Sequence, residues 1–259
     1  MAEVPFRGGG FIIRDRPVAA FGGLFLLIAG WQAASWAGLL NPIFLPPPSS
    51  IALALVELWA SGDAQRHVAA SLLRIGGGWI VGTTFGLIVG MAMGIFSLAR
   101  SAGMPIVSAL FPIPKIALLP LLILWFGVGE ASQIATIALG VFFPTVVAGY
   151  AAVDAVPRNL VRMAQSFGAP PEAILRKVIL PGAAPGILSG FRITASIALM
   201  LVVSAEMIGA RYGVGALVLT AGNLMQTDRL LAGVVMLSIM GLGVGFALSW
   251  AERYLLRWR

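Results

Sequence analysis

The chain has 259 residues, of which 59% are hydrophobic and only 10% are charged, and its mean hydropathy is +0.96. Soluble globular domains carry about 25% charged residues, and several apolar runs here exceed the roughly 18 to 20 residues of a membrane-spanning helix. The composition therefore predicts an all-α membrane protein with several spans. The absence of cysteine excludes disulfides and thiolate chemistry, and the single histidine, His67, cannot form a histidine-based metal cluster. No catalytic residue, metal or cofactor is predicted.

The first part of the chain reads as a short cytoplasmic tail, residues 1–17, followed by an apolar run over residues 18–40. This run is longer than the 7 to 15 apolar residues of a signal peptide, which favours a retained helix over a cleaved one. Pro46 to Pro48 interrupt helix formation. Residues 51–59 then predict a short interfacial helix. The first helix and this outer interfacial segment together make a region over residues 18–64.

Residues 65–259 predict a core of five further spans, about 70–96, 104–126, 133–153, 187–208 and 230–250, with a cytoplasmic loop at 154–186. The second span carries glycine at every fourth position: Gly78, Gly82, Gly86, Gly90 and Gly94. This spacing places them on one helix face, which indicates close helix packing, although the same face also suits contact with a moving neighbour. The third span contains four prolines, which predict an irregular or broken helix lining a cavity or buried in protein.

The positive charges indicate the orientation. With six spans and a cytoplasmic amino terminus, twelve of the 17 basic residues fall inside, Lys115 falls within a span, and four fall outside: Arg66, Arg74, Arg211 and Arg229. Lys and Arg accumulate in cytoplasmic loops. This rule explains the net charge of +7 better than nucleic-acid binding does, and no nucleic-acid partner is predicted. Both termini are predicted to be cytoplasmic.

The loop after the fourth predicted span is amphipathic and punctuated by proline. From Pro157 an apolar stripe at helical spacing predicts one short helix that Gly168 closes. A second begins at Pro170-Pro171, has Glu172 in its first turn, and is predicted to stop at Pro181. Glu172 and Arg176 form a favourable i,i+4 pair. The result is an elbow of two short helices, which lies either on the membrane surface or in a groove of a partner.

The elbow resembles the EAA signature of ABC-importer permeases, which reads Glu-Ala-Ala, three residues, Gly, nine residues, Ile, any residue, Leu-Pro. Here Arg162-Met163-Ala164 takes the place of the triplet, Gly168 matches the glycine, Val178 stands for Ile, and Leu180-Pro181 match outright. The departure is Arg162, which replaces the glutamate. LPPPSSI, SLLRIGGGW, FPIPKIALLPLLILWFGVGE and SAEMIGARYGVGALV resemble the subgroup of these permeases that serves nitrate, taurine, alkanesulfonates, bicarbonate and some vitamin precursors.

This resemblance implies a type I importer permease in a bacterial inner membrane that works by alternating access. It implies a small, anionic solute such as a sulfonate, nitrate or bicarbonate. It implies a second permease copy, two cytoplasmic ATPase subunits and an extracytoplasmic solute-binding protein as partners, so ATP hydrolysis belongs to another chain. The residues that it assigns to ATPase coupling lie in the elbow: Arg162, Met163, Ala164, Gly168, Ala169, Pro170, Glu172, Leu180 and Pro181. It does not identify the solute.

Two ionisable residues and two prolines are candidates for the substrate path: Pro112, Pro114, Lys115 and Glu206. A charge within a membrane span is costly and therefore suggests function. Lys115 either attracts an anionic solute, pairs with Glu206, or extends its ammonium toward the interface. Glu206 either contributes to the path or acts locally, as a cap or in a pair with Arg211. Pro112 and Pro114 suit a broken helix beside the path.

The competing hypothesis is a secondary transporter driven by an ion gradient. Such folds often contain inverted repeats and paired intramembrane acids. The chain shows no convincing repeat between its halves, and Glu206 is the one candidate acid. An intramembrane enzyme fits less well, because neither a cysteine nor a histidine cluster is present to build its active site.

Overall fold

The computed structural model describes residues 17–256, with side chains from Phe21 onward. Over this range the chain forms helices, with no β-strand among the described residues. The predicted tail before Pro17 and the last three residues lie outside the described part. The helices are α1 (Pro17–Trp36), α2 (Pro48–Ala60), α3 (Asp63–Ile95), α4 (Ser97–Leu110), α5 (Leu119–Phe126), α6 (Glu130–Asp154), α7 (Arg158–Ser166), α8 (Pro171–Ile174), α9 (Leu180–Gly209), α10 (Val214–Asn223) and α11 (Thr227–Leu255).

Four helical stretches in the described part are long and apolar enough to cross a membrane: Asp63–Ile95, Glu130–Asp154, Pro171–Gly209 and Thr227–Leu255. The predicted third span is broken, as expected, because α4 and the segment Lys115–Phe126 meet at 85°. The first predicted span falls on α1, of which Phe21–Trp36 is an apolar helix shorter than a span. The predicted interfacial helix is α2.

The glycine stripe of α3 packs against α6, as helix packing predicts. A Cβ added at Gly82, Gly86 or Gly90 would lie under 3.0 Å from a backbone carbonyl oxygen of α6. A Cβ added at Gly78 would lie 2.6 Å from the side chain of Ile137, and one added at Gly94 would lie 2.6 Å from the side chain of Val153. Because no larger residue fits at these points, the two helix backbones approach closely and form the centre of the bundle.

The main core lies where α3, α6, α9, α10 and α11 meet, and α2 packs onto its edge. Its buried apolar side chains include Ile75, Ile137, Val141, Val202 and Met236. The two ends of this bundle differ. The chain places the α6–α9 connection, with α7 and α8, at one end, called here the elbow end. The starts of α3 and α6 and the end of α9 define the opposite end.

The structure corrects the predicted boundaries of two spans. Helix α3 begins at Asp63 rather than near residue 70, so it includes His67, and Arg74 lies well inside the helix rather than near its start. The fifth span was predicted to begin at residue 187 after a stop at Pro181. Instead the helical path runs without interruption from Pro171 to Gly209.

Candidate coupling elbow and translocation path

The elbow predicted from the sequence is present, and Gly168 forms its corner. The Gly168 N–H donates to the Gln165 carbonyl at 2.9 Å, and the Ala169 N–H donates to the Ala164 carbonyl at 3.1 Å. This pair of bonds is the Schellman motif, which ends a helix with a residue in the left-handed region. Gly168 has φ +69°, and open space surrounds the position of a Cβ. Glycine is therefore favoured here by backbone conformation and not by crowding.

Helix α7 leaves its apolar side chains exposed. Phe167 is 83% exposed, Met163 53% and Leu160 41%, and α7 has no buried residue. A soluble surface rarely leaves a large aromatic ring open beside further apolar groups unless another surface covers it. Arg162 is also exposed, and no carboxylate among the described residues lies within 4.0 Å of it. The elbow therefore presents both an uncovered apolar face and an unpaired charge.

The second arm of the elbow is continuous with α9. Its Ile174 is buried, Glu172 and Arg176 form the predicted i,i+4 ion pair at 2.9 Å, and both of these charged side chains are exposed. Such an exposed pair contributes little stability. The residues Ala164 and Ala169 are half-buried near the corner, Pro170 is exposed, and Leu180 and Pro181 are half-buried at the junction with the span.

A π turn explains why Pro181 does not stop the helix. Over Leu175–Ile179 the helix widens, and the Leu180 N–H donates to the Leu175 carbonyl, five residues earlier. A proline lacks an N–H and clashes with the preceding turn of a regular α-helix. Widening the helix directly before Pro181 changes that geometry, which lets the helix pass through the proline. The arm and the span are consequently one helical unit.

The break between α4 and the following segment is held by Lys115. Its ammonium donates to the carbonyls of Leu110 and Ile113 at 2.7 Å each and of Phe111 at 3.1 Å. It also lies 4.6 Å from the centre of the Phe143 ring. These contacts satisfy carbonyls left open at the end of α4 and engage all three ammonium protons. Lys115 is half-buried, and Pro112 and Pro114 are exposed on the same corner.

Lys115 does not pair with Glu206, and Glu206 does not pair with Arg211, so these two alternatives were wrong, whereas the capping alternative for Glu206 holds at the start of α10. Glu206 is 1% exposed and accepts from Arg74 at 2.8 Å and from the Ser71 hydroxyl at 2.7 Å. Arg74, which the prediction counted among the outer charges, is 2% exposed. Its guanidinium also bonds Glu130 at 2.7 Å through Nε. One arginine thus joins α3, α6 and α9 at the opposite end from the elbow.

The same cluster anchors the turn between α9 and α10. The Gly215 N–H donates to Glu206 at 2.8 Å, and the Val214 N–H donates to Ser71 at 2.9 Å. Two of the free N–H groups at the start of α10 are therefore satisfied by side chains of α9 and α3. A Cβ at Gly213 would collide with the Glu206 carboxylate. His67, expected in a loop, lies in α3 with its Nδ1 3.0 Å from the Gly213 nitrogen.

Sequence reasoning missed this cluster because the polar run DAQRH at residues 63–67 was read as a loop. The available signal was Asp63 after Gly62, which suits a helix start and would have extended α3 backward to Asp63, so that Arg74 lies well inside the helix. With that extension, Arg74 becomes a charge within an apolar helix that needs an acidic partner. The identity of the partner, 132 positions away in the chain, is not visible in local patterns.

The fold and the elbow together define a permease, the membrane subunit of an ABC importer. Residues 82–259 match the model of the binding-protein-dependent transport system inner membrane component. The chain belongs to this family, which is a multi-span family of the inner membrane. Permeases of this class work with ATPase and solute-binding partners, typically as dimers, so the ion-gradient alternative is set aside.

Three comparisons with individual proteins agree with this membership. The chain is 36% identical to the taurine transport system permease protein TauC of Escherichia coli (strain K12), over 92% of this chain and 89% of the relative. It is 34% identical to the putative aliphatic sulfonates transport permease protein SsuC of Bacillus subtilis (strain 168), over 90% and 85%. An inward-facing structure of the MetNI methionine ABC transporter has a TM-score of 0.63 at 25% identity, covering 73% of this chain and 94% of that one.

Proposed function

We propose that this permease forms the path for a small organic sulfonate and that the elbow transmits ATP-driven motion to it. The relatives whose names carry taurine and aliphatic sulfonates match nine-tenths of the chain or more, which supports the substrate class. The observation that carries the coupling role is the exposed apolar face of α7, which the Gly168 corner joins to a second arm that is continuous with the spanning helix α9. A force on this arm moves the span without an intervening flexible linker.

The proposed docking surface consists of the elbow residues Arg162, Met163, Ala164, Gly168, Ala169, Pro170 and Glu172, with Phe167 added from the structure. Phe167 directly follows α7 and precedes the corner, and it is more exposed than the apolar side chains of α7 itself. Burying a phenylalanine ring stabilises a contact by roughly 1.5 to 3 kcal/mol. Leu180 and Pro181 belong to the junction that carries the motion, because they lie where the arm becomes the span.

The partners proposed are a second copy of this chain, two cytoplasmic ATPase subunits and an extracytoplasmic solute-binding protein. The orientation places the elbow end and both termini in the cytoplasm. It is supported by the excess of basic residues on that side, although Arg74 no longer counts as an outer loop charge because it is buried in α3. Removing it from the outer set strengthens the bias.

The path is proposed to pass the corner formed by Pro112, Pro114 and Lys115. The exposed prolines and the 85° bend support this proposal, because irregular backbone within a membrane is tolerated where it lines a cavity. Since the ammonium protons of Lys115 are already donated to three carbonyls, its role in this proposal is to hold the corner. Glu206 shapes the outer end of the path through its cap on α10 and does not contact solute.

The test is reconstitution of the chain with its ATPase and solute-binding subunits in proteoliposomes. Uptake of radiolabelled taurine and of an alkanesulfonate should depend on ATP and on the binding protein, and nitrate or bicarbonate should not compete at equal concentration. Uptake that is driven by an ion gradient with no ATPase present would contradict the coupling proposal. ATP-dependent uptake restricted to solutes that lack a sulfonate group would contradict the substrate class alone.

A further inference from the structure

A groove of about 450 Å³ lies between α7 and the elbow ends of α3, α4 and α6. Its floor is apolar, since Met93, Val153 and Val156 are each at most 7% exposed. Its rim is polar and basic, with Arg100, Arg158, Arg162, Gln165, Ser97 and Asp154. The groove therefore joins an apolar interior surface to three guanidinium groups at one end of the membrane bundle.

Two of these arginines have no acidic partner. Arg100 lies 4.0 Å from Asp154 and 5.0 Å from the centre of the Tyr150 ring, so its positive charge is partly neutralised within the chain. Arg158 and Arg162 are one helical turn apart, and no described carboxylate lies within 4.0 Å of either. Like charges at this spacing destabilise a helix. An anion between them would relieve that repulsion.

The groove shares Arg162 with the proposed ATPase surface, but it does not include the apolar residues of that surface. Arg158, Arg162 and Gln165 recur at i, i+4 and i+7 and line the groove. The exposed apolar residues Met163 and Phe167 are not part of its lining. An effect on the apolar docking residues can therefore be separated from an effect on the groove.

An exposed apolar stripe on α3 leads into the groove. Val81, Phe85 and Ile88 are 44%, 61% and 60% exposed, and they recur at helical spacing along the span. The stripe continues to Phe96, which is 62% exposed and lines the groove. In a bilayer this stripe is a surface for hydrocarbon chains. The basic rim thus lies where such a surface reaches the headgroup level.

We propose that this groove binds the phosphate headgroup of an anionic phospholipid, whose acyl chains lie along the α3 stripe. Arginine pairs are well suited to phosphate because each guanidinium offers two parallel N–H donors. Basic pockets between spanning helices at the headgroup level are typical sites for anionic lipids. A bound lipid would join α7 to the ends of α3 and α4 and so hold the first arm of the elbow against the bundle.

A lipid fits these observations better than an acidic side chain from a protein partner does. A carboxylate would answer the charge of Arg158 and Arg162, yet it would leave the adjoining apolar stripe unexplained. A phospholipid accounts for both features with one molecule, because its headgroup and chains meet at the position where Phe96 joins rim and stripe. Free phosphate shares the headgroup chemistry and lacks the chains.

The experiment is native mass spectrometry of the full-length chain in detergent, titrated with phosphatidylglycerol or with phosphatidylcholine of the same acyl chains. We expect phosphatidylglycerol to bind at least about tenfold more tightly, since two basic side chains act on the anionic headgroup. The double variant R158Q/R162Q should lose about that factor. The charge-conserving R158K/R162K should retain binding, which would also show that loss in the first variant is not misfolding.

The matched control is R176Q/K177Q, which removes two positive charges from the other arm of the same elbow. It should change phosphatidylglycerol affinity by less than about twofold, because neither side chain lines the groove. Equal losses in both double variants would overturn the site in favour of general surface charge. Displacement by inorganic phosphate at the same concentration would overturn the role of the α3 stripe. If R158Q/R162Q abolished ATPase binding and left lipid binding unchanged, a protein carboxylate would be the occupant.

Discussion

The two ends of the helix bundle differ in whether their charged side chains have partners within the chain. At the end opposite the elbow Arg74 and Glu206 are almost fully buried, and their polar atoms bond Ser71, Glu130 and the start of α10. At the elbow end Arg158 and Arg162 have no carboxylate partner among the described residues, and Phe167 is 83% exposed. The charges of Arg74 and Glu206 are thus neutralised within one chain, whereas those of Arg158 and Arg162 are not neutralised by any described carboxylate.

This difference predicts that substitutions at the end opposite the elbow lower the stability of the fold. It also predicts that substitutions at the elbow lower the affinity for partners. A buried ion pair is costly to break, since it leaves an uncompensated charge in a low-dielectric interior. An exposed apolar ring costs nothing to remove in the free chain, yet its loss is felt when a partner would have covered it. The following substitutions test this difference.

The largest effect is expected for Glu206→Ala, which leaves Arg74 with the exposed Glu130 as its one carboxylate partner. We expect the free energy of unfolding to fall by about 3 to 5 kcal/mol, measured by denaturant titration in mixed micelles. The control is Glu57→Ala, since Glu57 lies 4.0 Å from Arg229 with both side chains exposed. Its loss should cost about 0 to 1 kcal/mol. Equal costs for the two variants would show that the outer cluster is not a buried network.

Phe167→Ala tests the elbow end. We expect about a tenfold to hundredfold weaker affinity for the ATPase subunit, because burial of the ring stabilises by roughly 1.5 to 3 kcal/mol. The unfolding free energy should stay the same. Phe44→Ala is the matched control, since Phe44 is 79% exposed and lies outside the elbow. Surface plasmon resonance with immobilised ATPase would measure both. Equal losses would remove the proposed docking surface.

Lys115→Met tests whether the lysine holds the corner or binds solute. Its three carbonyl contacts predict a loss of about 1.5 to 3 kcal/mol in unfolding free energy, with the KM for sulfonate uptake unchanged. Lys115→Arg keeps the charge and retains several donors, so it should lose less. A raised KM without loss of stability would instead assign Lys115 to the solute.

Gly168→Ala is expected to give the smallest effect. The φ of +69° costs an alanine about 1 to 2 kcal/mol, and asparagine tolerates this region better. Because open space surrounds the site, a bulky residue adds no clash. Amide hydrogen exchange over residues 160–172 should be faster in the Gly168→Ala variant and close to normal in Gly168→Asn. Identical exchange in all three would show that the corner does not depend on glycine.

The elbow could be predicted from the sequence because its signals are local. Proline starts, a glycine corner and an i,i+4 charge pair all act within one or two helical turns, and the structure contains each of them. The broken third span was predictable for the same reason, since its prolines disrupt the helix in which they lie. The glycine stripe was predictable because one helix face repeats every four residues.

The parts that failed depend on distant partners or on an adjustment of the backbone. Arg74 is tolerated in α3 because Glu206 and Glu130 neutralise it, and both residues belong to other helices. Pro181 does not stop the helix because a π turn precedes it, and no residue type specifies such a turn. Lys115 could be identified as an unusual charge, yet its carbonyl partners depend on the bend that follows α4.

If the ATPase subunit covers Phe167 and its elbow, position 167 should be less accessible in the complex than in the free chain. Because the chain has no cysteine, this accessibility can be measured directly. A single Phe167→Cys variant can be labelled with a fluorescent maleimide in detergent, and its labelling rate compared with and without the ATPase subunit. Phe44→Cys serves as the control. The account predicts that the ATPase slows labelling at position 167 by at least about tenfold, as expected for a buried contact, and leaves position 44 unchanged. An unchanged rate at position 167 in a complex that still hydrolyses ATP and transports solute would contradict it.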